Sequence, residues 1–414
     1  MLEKRKSENV IVIILSIILA YFTFHTVMSG LENEISDYYG HTYIYLPLFT
    51  GDNWIEGWKA VPYLIWHLGV MGMNEIFKIP LENSAAYMSC FLAIFSYFIW
   101  YWIIKKFTSH IGEEEGNTKA ALISFGLCVL QSLHFEWMDA GSGFLGNYSM
   151  NAIHSATQMT ARPFSLLCAC LAYDVWQRQK DENYQGIFFK VEAGLKKYYF
   201  GLAFALFLTT CAKPTFAEMF IPTLALIMLA DWIVRIFRKD GSAKPFFKKC
   251  LIMLLCAVPA LAHILVQMMA YAIFGGSFGG ETSFVFTKWG DVWSIYSENI
   301  PLSVVLGMAF PLFMILINLK YFIKDDLGKL GLVSYGVGFL EATFLGEKGA
   351  RYDHGNFIWP MMSGMLLLWT VSVLRLLALE RQQADSKLQK VLLNVAWFIF
   401  WLHVFYGILF MIRM

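Results

Sequence analysis

The sequence predicts an all-helical membrane protein that crosses the bilayer many times. Hydrophobic residues make up 57% of the 414 residues and charged residues only 15%. A soluble chain of this length would divide into domains and carry about 25% charged residues. Apolar runs of about 20 residues, long enough to cross a hydrocarbon core, recur along the chain. The net charge of +1 gives no indication of nucleic-acid binding.

The apolar runs predict about eleven spans within a single transmembrane domain that covers residues 1–414. The first run is too long for a signal-peptide core and no small-residue cleavage site follows it, so we expect a retained helix. All seven cysteines lie inside apolar runs, which predicts buried membrane cysteines rather than a metal site or a disulfide framework. The expected spans are 10–29, 84–104, 118–135, 158–177, 198–213, 215–236, 247–273, 299–323, 328–345, 357–378 and 389–412.

The distribution of positive charge sets the orientation of these spans. Lys4, Arg5 and Lys6 precede the first span, which predicts a cytoplasmic N-terminus. With eleven alternating spans the C-terminus lies outside, and we expect the plasma membrane of a bacterium. Most of the 32 lysines and arginines then fall on the cytoplasmic side. The eight on the outer side are Lys59, Lys78, Arg162, Lys213, Lys288, Lys348, Arg351 and Arg413.

One apolar stretch, 61–79, is predicted to lie on the outer leaflet rather than to span the membrane. If it spanned, the basic stretches 178–197 and 235–249 would move outside, against the usual charge bias. Polar and helix-breaking residues also make it a better surface helix than a span. These residues are Pro62, His67, Gly69, Gly72, Asn74 and Glu75. A second juxtamembrane helix is predicted over 41–49.

The first outer loop, 30–83, contains the first candidate catalytic residues. Glu34 and Asp37 follow the first span directly, and His41 lies one helical turn after Asp37. A carboxylate at this position could take a proton from an acceptor hydroxyl, or Asp37 could bind a divalent metal such as Mg²⁺ or Mn²⁺. An ordinary solvated acidic loop explains Glu34 equally well. We predict all three as catalytic residues.

The second outer loop, 136–157, supplies further candidates for substrate binding. Glu136, Asp139 and His154 could provide a second acid or a ligand, although ordinary loop polarity also explains them. Arg162 opens the next predicted helix at the outer surface. Its side chain could extend to lipid headgroups or contact a phosphate.

Basic residues in later outer segments predict a phosphate-binding site. Lys213 lies between two apolar helices with almost no linker, where an unpaired lysine is costly. The last outer loop, 346–356, contains Lys348, Arg351 and His354, which together could neutralise a phosphate or diphosphate. A turn held by ion pairs with the acids of the same loop is the alternative.

The order of these features resembles the GT-C superfamily of membrane glycosyltransferases, which includes the protein O-mannosyltransferases and the aminoarabinose lipid A transferases. An acidic motif, Glu34 and Asp37, begins the long outer loop. Runs similar to the juxtamembrane helices of family members follow, Leu48-Phe-Thr-Gly-Asp-Asn-Trp54 and Val61-Pro-Tyr-Leu-Ile-Trp66. The likeness covers residues 10–105 at motif level and the rest by topology only. The two acids are three residues apart instead of adjacent, and the family's acid near the fourth helix is absent.

The resemblance implies transfer of a sugar from a polyprenyl-phosphate donor to a glycan or lipid acceptor on the extracytoplasmic face. Asp37 would be the base or a metal ligand, and Lys213, Lys348 and Arg351 would bind the donor phosphate. A lipid or polysaccharide transporter or flippase is one alternative, and a lipid-linked polysaccharide polymerase or ligase is another. Transporters place ionisable groups near the bilayer midplane, often in repeated halves. Here no repeat is visible and the main midplane candidates are Glu218, Asp231 and Glu341.

Overall fold

The computed structural model describes residues 2–49, 54–112, 117–133, 149–192, 194–239, 241–274, 284–382 and 386–413. These parts of the chain are almost entirely helical, as predicted. The first eight helices are α1 (Leu2–Leu31), α2 (Asp37–Tyr39), α3 (Trp54–Ala60), α4 (Ile65–Phe77), α5 (Leu81–His110), α6 (Asn117–Val129), α7 (Ala156–Lys180) and α8 (Lys196–Ala212). The others are α9 (Thr215–Arg238), α10 (Ala243–Leu255), α11 (Val258–Phe274), α12 (Ile300–Gly307), α13 (Ala309–Lys324), α14 (Asp326–Phe344), α15 (Ile358–Arg381) and α16 (Lys387–Arg413).

Several of these helices make the chain an integral membrane protein. In the described residues, five helical stretches are long and apolar enough to cross a bilayer: Glu8–Leu31, Leu81–His110, Thr215–Arg238, Arg351–Arg381 and Lys387–Arg413. Two bent pairs, α10 with α11 (43°) and α12 with α13 (75°), raise the number to seven if each pair is one span. The remaining predicted spans coincide with α6, α7, α8 and α14, which are shorter or less apolar. Eleven spans therefore remains a prediction.

Small residues let the central helices α14 and α15 pack closely. A Cβ atom added at Gly338 would lie 2.5 Å from the Cα atom of Met361, and one added at Gly364 would lie 2.5 Å from the carbonyl oxygen of Ser334. Such close backbone approach is typical of helix pairs in membranes. This pair forms a rigid centre, against which α7 and α9 also pack.

Hydrogen bonds and ring contacts bring separate loops together at one end of the bundle, which we call the Asp37 end. Asp37 accepts a hydrogen bond from the backbone N–H of Ala156, at the start of α7. The side-chain amide of Gln158 donates to Thr215 in α9 and to the carbonyl of Trp359 in α15, both at 3.4 Å. The start of α7, the α8–α9 junction and the start of α15 therefore meet beside the end of α1.

Ion pairs join three helices at the opposite end, which we call the Lys180 end. Lys180, the last residue of α7, lies 2.6 Å from Asp231 in α9 and 2.8 Å from Asp326 in α14. The acids Asp231 and Asp326 also contact Lys329 at 3.7 and 3.2 Å. The charged side chains at the Lys180 end are thus paired with one another.

The described residues next to α6 and α7, 130–133 and 149–155, have no regular helix or strand and lie within the bundle. Helix α6 ends at Val129, and the described residues 130–133 and 149–155 are largely buried. The backbone N–H of Gln131 donates to the carbonyl of His403 in α16, and the His403 Nδ1 atom lies 2.8 Å from the Gln131 carbonyl oxygen. Gly407 leaves room for this segment, because a Cβ atom there would overlap the Val129 carbonyl. Irregular backbone at this depth is tolerated because protein surrounds it.

The first loop contains short helical pieces where surface helices were predicted. The stretch 61–79 contains α4, which is 13 residues long, and the stretch 41–49 contains a π-helical turn (Gly40–Tyr45) and a 3-10 turn (Leu46–Phe49). Their location at a membrane surface remains a prediction. A feature that was not predicted joins the last loop to an earlier one: strand β1 (Phe284–Phe286) pairs antiparallel with strand β2 (Leu345–Glu347).

Candidate functional site

Asp37 is held between the end of α1 and the start of α7. The side chain of Ser36 caps the short helix α2 by accepting from the N–H of Tyr38, which fixes the backbone at Asp37. The Asp37 Oδ2 atom lies 3.1 Å from the Ala156 nitrogen, and the positive end of the α7 dipole favours a carboxylate there. The Asp37 side chain remains 32% exposed. The carboxylate is therefore both fixed and reachable.

Two neighbouring side chains, His41 and Lys213, keep Asp37 ionised. Loss of hydration raises the pKa of this carboxyl group, but the interactions with His41 and with the charge of Lys213 outweigh it and hold the pKa well below its usual value. The His41 Nε2 atom lies 3.4 Å from Asp37 Oδ1. At neutral pH the site therefore contains a carboxylate rather than a carboxylic acid.

Behind His41 lies a second histidine, His67. The His41 Nδ1 atom is 3.1 Å from the His67 Nε2 atom. The two residues are 5% and 0% exposed. Burial and the neighbouring His41 hold the pKa of His67 well below its usual value, which keeps the His67 ring neutral.

Lys213 lies on the same side of the bundle as Asp37 and is 8% exposed. Its ammonium group is 3.9 Å from the ring centre of Trp359, a cation–π contact that partly replaces lost hydration. Burial lowers the pKa of Lys213 to about 8, although the charges of Asp37 and Glu218 oppose the shift. His154 stacks on the same tryptophan, with ring centres 5.6 Å apart, and burial lowers the pKa of His154 to about 3.

The loop between α14 and α15 is near enough for its charges to act on Tyr63. The Arg351 Nε atom is 3.4 Å from the Glu347 Oε1 atom, within a 3-10 turn that begins at Gly349. Tyr63 has a raised pKa because of burial first and then the charge of Asp37, and the charges of Arg351 and Glu347 also act on it. Tyr63 is therefore within electrostatic range of both the Asp37 carboxylate and the last loop.

Arg162 lies inside the bundle instead of at its outer surface. The side chain is 4% exposed, donates to the carbonyl of Met150 and lies 5.3 Å from the ring centre of Trp100. A cavity of about 20 Å³ adjoins it, with room for one water molecule. The polar residues lining that cavity are Gln158, Arg162, Ser165 and Ser363. Arg162 thus anchors the irregular segment before α7, and its predicted role in substrate binding remains a prediction.

The structure brings together some of the predicted residues and separates others. Asp37, His41, His154 and Lys213 are close to one another, and Arg351 pairs with Glu347. The side chains of Glu34, Lys348 and His354 are exposed. Glu136 and Asp139 lie outside the described residues. Tyr63 and His67 were not predicted as site residues. Both belong to the apolar stretch 61–79, in which His67 was interpreted only as a polar interruption.

The surroundings of Asp37 fit a metal ion poorly. Hard divalent cations such as Mg²⁺ need several oxygen ligands. In the described residues no three His, Cys, Asp or Glu side chains converge on a metal-binding geometry. The charge of Lys213 acts on Asp37 and would oppose a second cation. Metal binding by Asp37 remains a prediction.

No protein-family model matches the chain, and no curated protein matches its sequence. The fold and the site define an integral membrane protein with a partly exposed carboxylate and a buried lysine at one end of a helical bundle.

Proposed function

We propose that the protein is a glycosyltransferase of the GT-C type, which moves a sugar from a polyprenyl-phosphate donor to a glycan or lipid acceptor on the extracytoplasmic face. One observation carries the proposal. The ionised carboxylate of Asp37 and the ammonium group of Lys213 come from distant parts of the chain and lie close enough for their charges to interact. A displacement at a phosphate-linked sugar can use such a pair, one group as proton acceptor and the other to stabilise the leaving phosphate.

The reaction needs one proton acceptor and one cation. The acceptor hydroxyl oxygen forms a bond to the anomeric carbon, while the bond between that carbon and the phosphate oxygen breaks. The electron pair leaves with the phosphate, and the hydroxyl proton passes to Asp37. Lys213 stabilises the negative charge on the departing phosphate. Arg351, Lys348 and His354 attract the donor headgroup from the rim of the site.

The proposal includes an orientation. It has eleven spans, a cytoplasmic N-terminus, an outer C-terminus, a bacterial plasma membrane and the Asp37 end outside. Single cysteines test this orientation at two exposed positions, Ile76 near the Asp37 end and Glu182 near the Lys180 end. We expect a membrane-impermeant thiol reagent to label the first in intact cells and the second only after permeabilisation. The reverse pattern would overturn the orientation.

Transport is the less favoured function, because the candidate midplane acids lie near helix ends. Glu218 is in the first turn of α9, and Glu341 is three residues before the end of α14. Asp231 belongs to the ion-pair network at the Lys180 end. Transport would need ionisable groups near the middle of the bilayer. A polymerase or ligase would use the same outer site and differs in its acceptor.

A donor assay separates these functions. The purified protein in nanodiscs is supplied with polyprenyl-phosphate sugars, or with nucleotide sugars as the comparison. We expect sugar release or transfer from the lipid-linked donors only. Lipid movement between leaflets of proteoliposomes without any cleavage of the sugar–phosphate bond would favour the flippase and overturn the proposal.

A further inference from the structure

A buried histidine, His67, lies directly behind His41 and Asp37, which are two of the predicted catalytic residues. His67 belongs to the first turn of α4 and contacts His41, which in turn contacts Asp37. The three side chains form a line: carboxylate, imidazole, imidazole. The outer member is partly exposed, and the inner two are buried.

Aromatic rings restrict both imidazoles. The His67 ring lies 5.4 Å from the Phe49 ring and 5.3 Å from the Trp66 ring. The His41 ring is contacted by Tyr45 at 5.3 Å and by Tyr63 at 6.3 Å. These contacts limit rotation of both rings. The contact of 3.1 Å between the two ring nitrogens is therefore maintained by packing from several parts of the first loop.

The π-helical turn over Gly40–Tyr45 contributes to this placement, since it presents His41 between Asp37 and α4. Turns of this kind are rare and are frequently found at functional sites. Helix α4 is anchored in turn by Trp66, whose indole N–H donates to the Ser89 hydroxyl in α5. The line of three side chains thus rests on the long helix α5.

Hydrogen counting assigns the direction of each contact. An ionised carboxylate only accepts hydrogen bonds, so the His41 Nε2 atom that faces Asp37 carries a hydrogen. If the His41 ring carries only this hydrogen, its Nδ1 atom is an acceptor. The His67 Nε2 atom that faces it is then the donor.

We propose that His67 is a positioning residue of the site, which donates from Nε2 to His41 Nδ1 and thereby holds the His41 Nε2–H against Asp37. Asp37 then has one oxygen fixed by His41 and the other by the N–H of Ala156. Two donors from separate parts of the chain set the plane of the carboxylate. The acceptor hydroxyl then approaches the part of the carboxylate that is exposed. This inference rests on the proposed function for its catalytic consequence, but the hydrogen-bond pattern stands without it.

Nuclear magnetic resonance with ¹⁵N-labelled histidine measures the pattern directly in the full-length protein in nanodiscs. We expect a hydrogen on His67 Nε2, a hydrogen on His41 Nε2 and a ¹⁵N–¹⁵N coupling across the bond between the two rings. His403 is the internal control, because its Nδ1 atom faces the Gln131 carbonyl and must carry the hydrogen instead. A hydrogen on His41 Nδ1, or no coupling between the two rings, would overturn the proposal.

A pair of substitutions separates positioning from space filling. His67→Gln retains a side-chain N–H donor near the Nε2 position, whereas His67→Leu fills similar volume without a donor. We expect His67→Leu to lower kcat about 10–100-fold, the usual range for a residue that orients a catalytic group, with the donor KM nearly unchanged. His67→Gln should restore most of kcat. Equal activity in both variants, at equal thermal stability, would contradict the proposal.

The exposed His110, at the far end of α5, supplies the matched control, and His110→Leu should leave kcat unchanged. The two proposals fail separately. If no donor is turned over but the coupling between the rings is present, the function fails and the role of His67 in orienting His41 stands. If Asp37→Asn abolishes transfer but His67→Leu has no effect on kcat, the role of His67 fails alone.

Discussion

The two ends of the bundle hold their charges in different ways. At the Lys180 end the acids have short and multiple contacts, since Asp231 and Asp326 each lie within 4 Å of both Lys180 and Lys329. At the Asp37 end the carboxylate has one backbone donor, one imidazole contact at 3.4 Å and a hydrogen bond from the Ser155 hydroxyl. The nearest lysine there is in contact with a tryptophan ring.

Asp174, in the same helix whose first residue contacts Asp37, shows the contrast between the two ends. Near the Lys180 end of α7, its two oxygens accept from the backbone N–H groups of Ile187, Phe188 and Phe189 and from the hydroxyl of Tyr184. A carboxylate has about four lone-pair positions, so Asp174 is saturated. Asp37 is not. We infer that saturated carboxylates hold the scaffold, whereas an unsaturated and exposed one is available for chemistry.

The strongest test of this contrast is Asp37→Asn. The amide cannot take a proton, so we expect transfer to fall by a factor of about 10³ or more, since it removes both the base and its charge. The midpoint of thermal unfolding should change little. Asp353→Asn, an exposed acid in the last loop, is the control and should retain activity. Full transfer by Asp37→Asn would remove the assigned base.

The opposite result is expected at Asp174. Replacing it with asparagine puts an NH₂ group against backbone donors, which should destabilise the protein by about 2–4 kcal/mol. Unfolding in detergent, followed by tryptophan fluorescence, measures the loss. Transfer per folded molecule should be close to that of the wild type. A selective loss of turnover at unchanged stability would break the division between the two ends.

Lys213 sharpens the comparison through pH. Its pKa is lowered to about 8, so the side chain is charged below that pH and neutral above it. If it stabilises the departing phosphate, transfer should fall as the pH rises through about 8. Lys213→Arg should extend the active range to higher pH, and Lys213→Met should lower kcat about 100-fold at pH 7. An unchanged alkaline limb in Lys213→Arg would exclude Lys213 as its source.

The smallest effect is expected at Arg351, which is half-buried and paired with Glu347. Partly exposed charge contacts contribute about 1 kcal/mol or less, so Arg351→Ala should raise the donor KM by about fivefold or less. Glu347→Gln frees the guanidinium and should not raise the KM. If both variants weaken the donor equally, the pair only stabilises the turn.

The sequence predicted the helical class and the gathering of Asp37, His41, His154 and Lys213 at one end. Long apolar runs and charge bias are local signals, and they suffice for that. The features that were not predicted depend on contacts between segments that are distant in the sequence. Strands β1 and β2 are only three residues each, and their pairing depends on the packing of the loops around them. His67 acquires its partner from a residue 26 positions earlier, which no local pattern indicates.

The early end of α6 has a consequence for how the chain is made. The backbone of Gln131 is hydrogen-bonded to His403, in the last helix, so its partner is synthesised long after α6 has left the ribosome. During that interval the backbone groups that follow α6 lack this partner, and unpaired backbone groups are costly in lipid. We expect α6 to remain in contact with the insertion machinery until α16 has been inserted. A chain truncated before α16 should therefore be degraded rather than accumulate in the membrane.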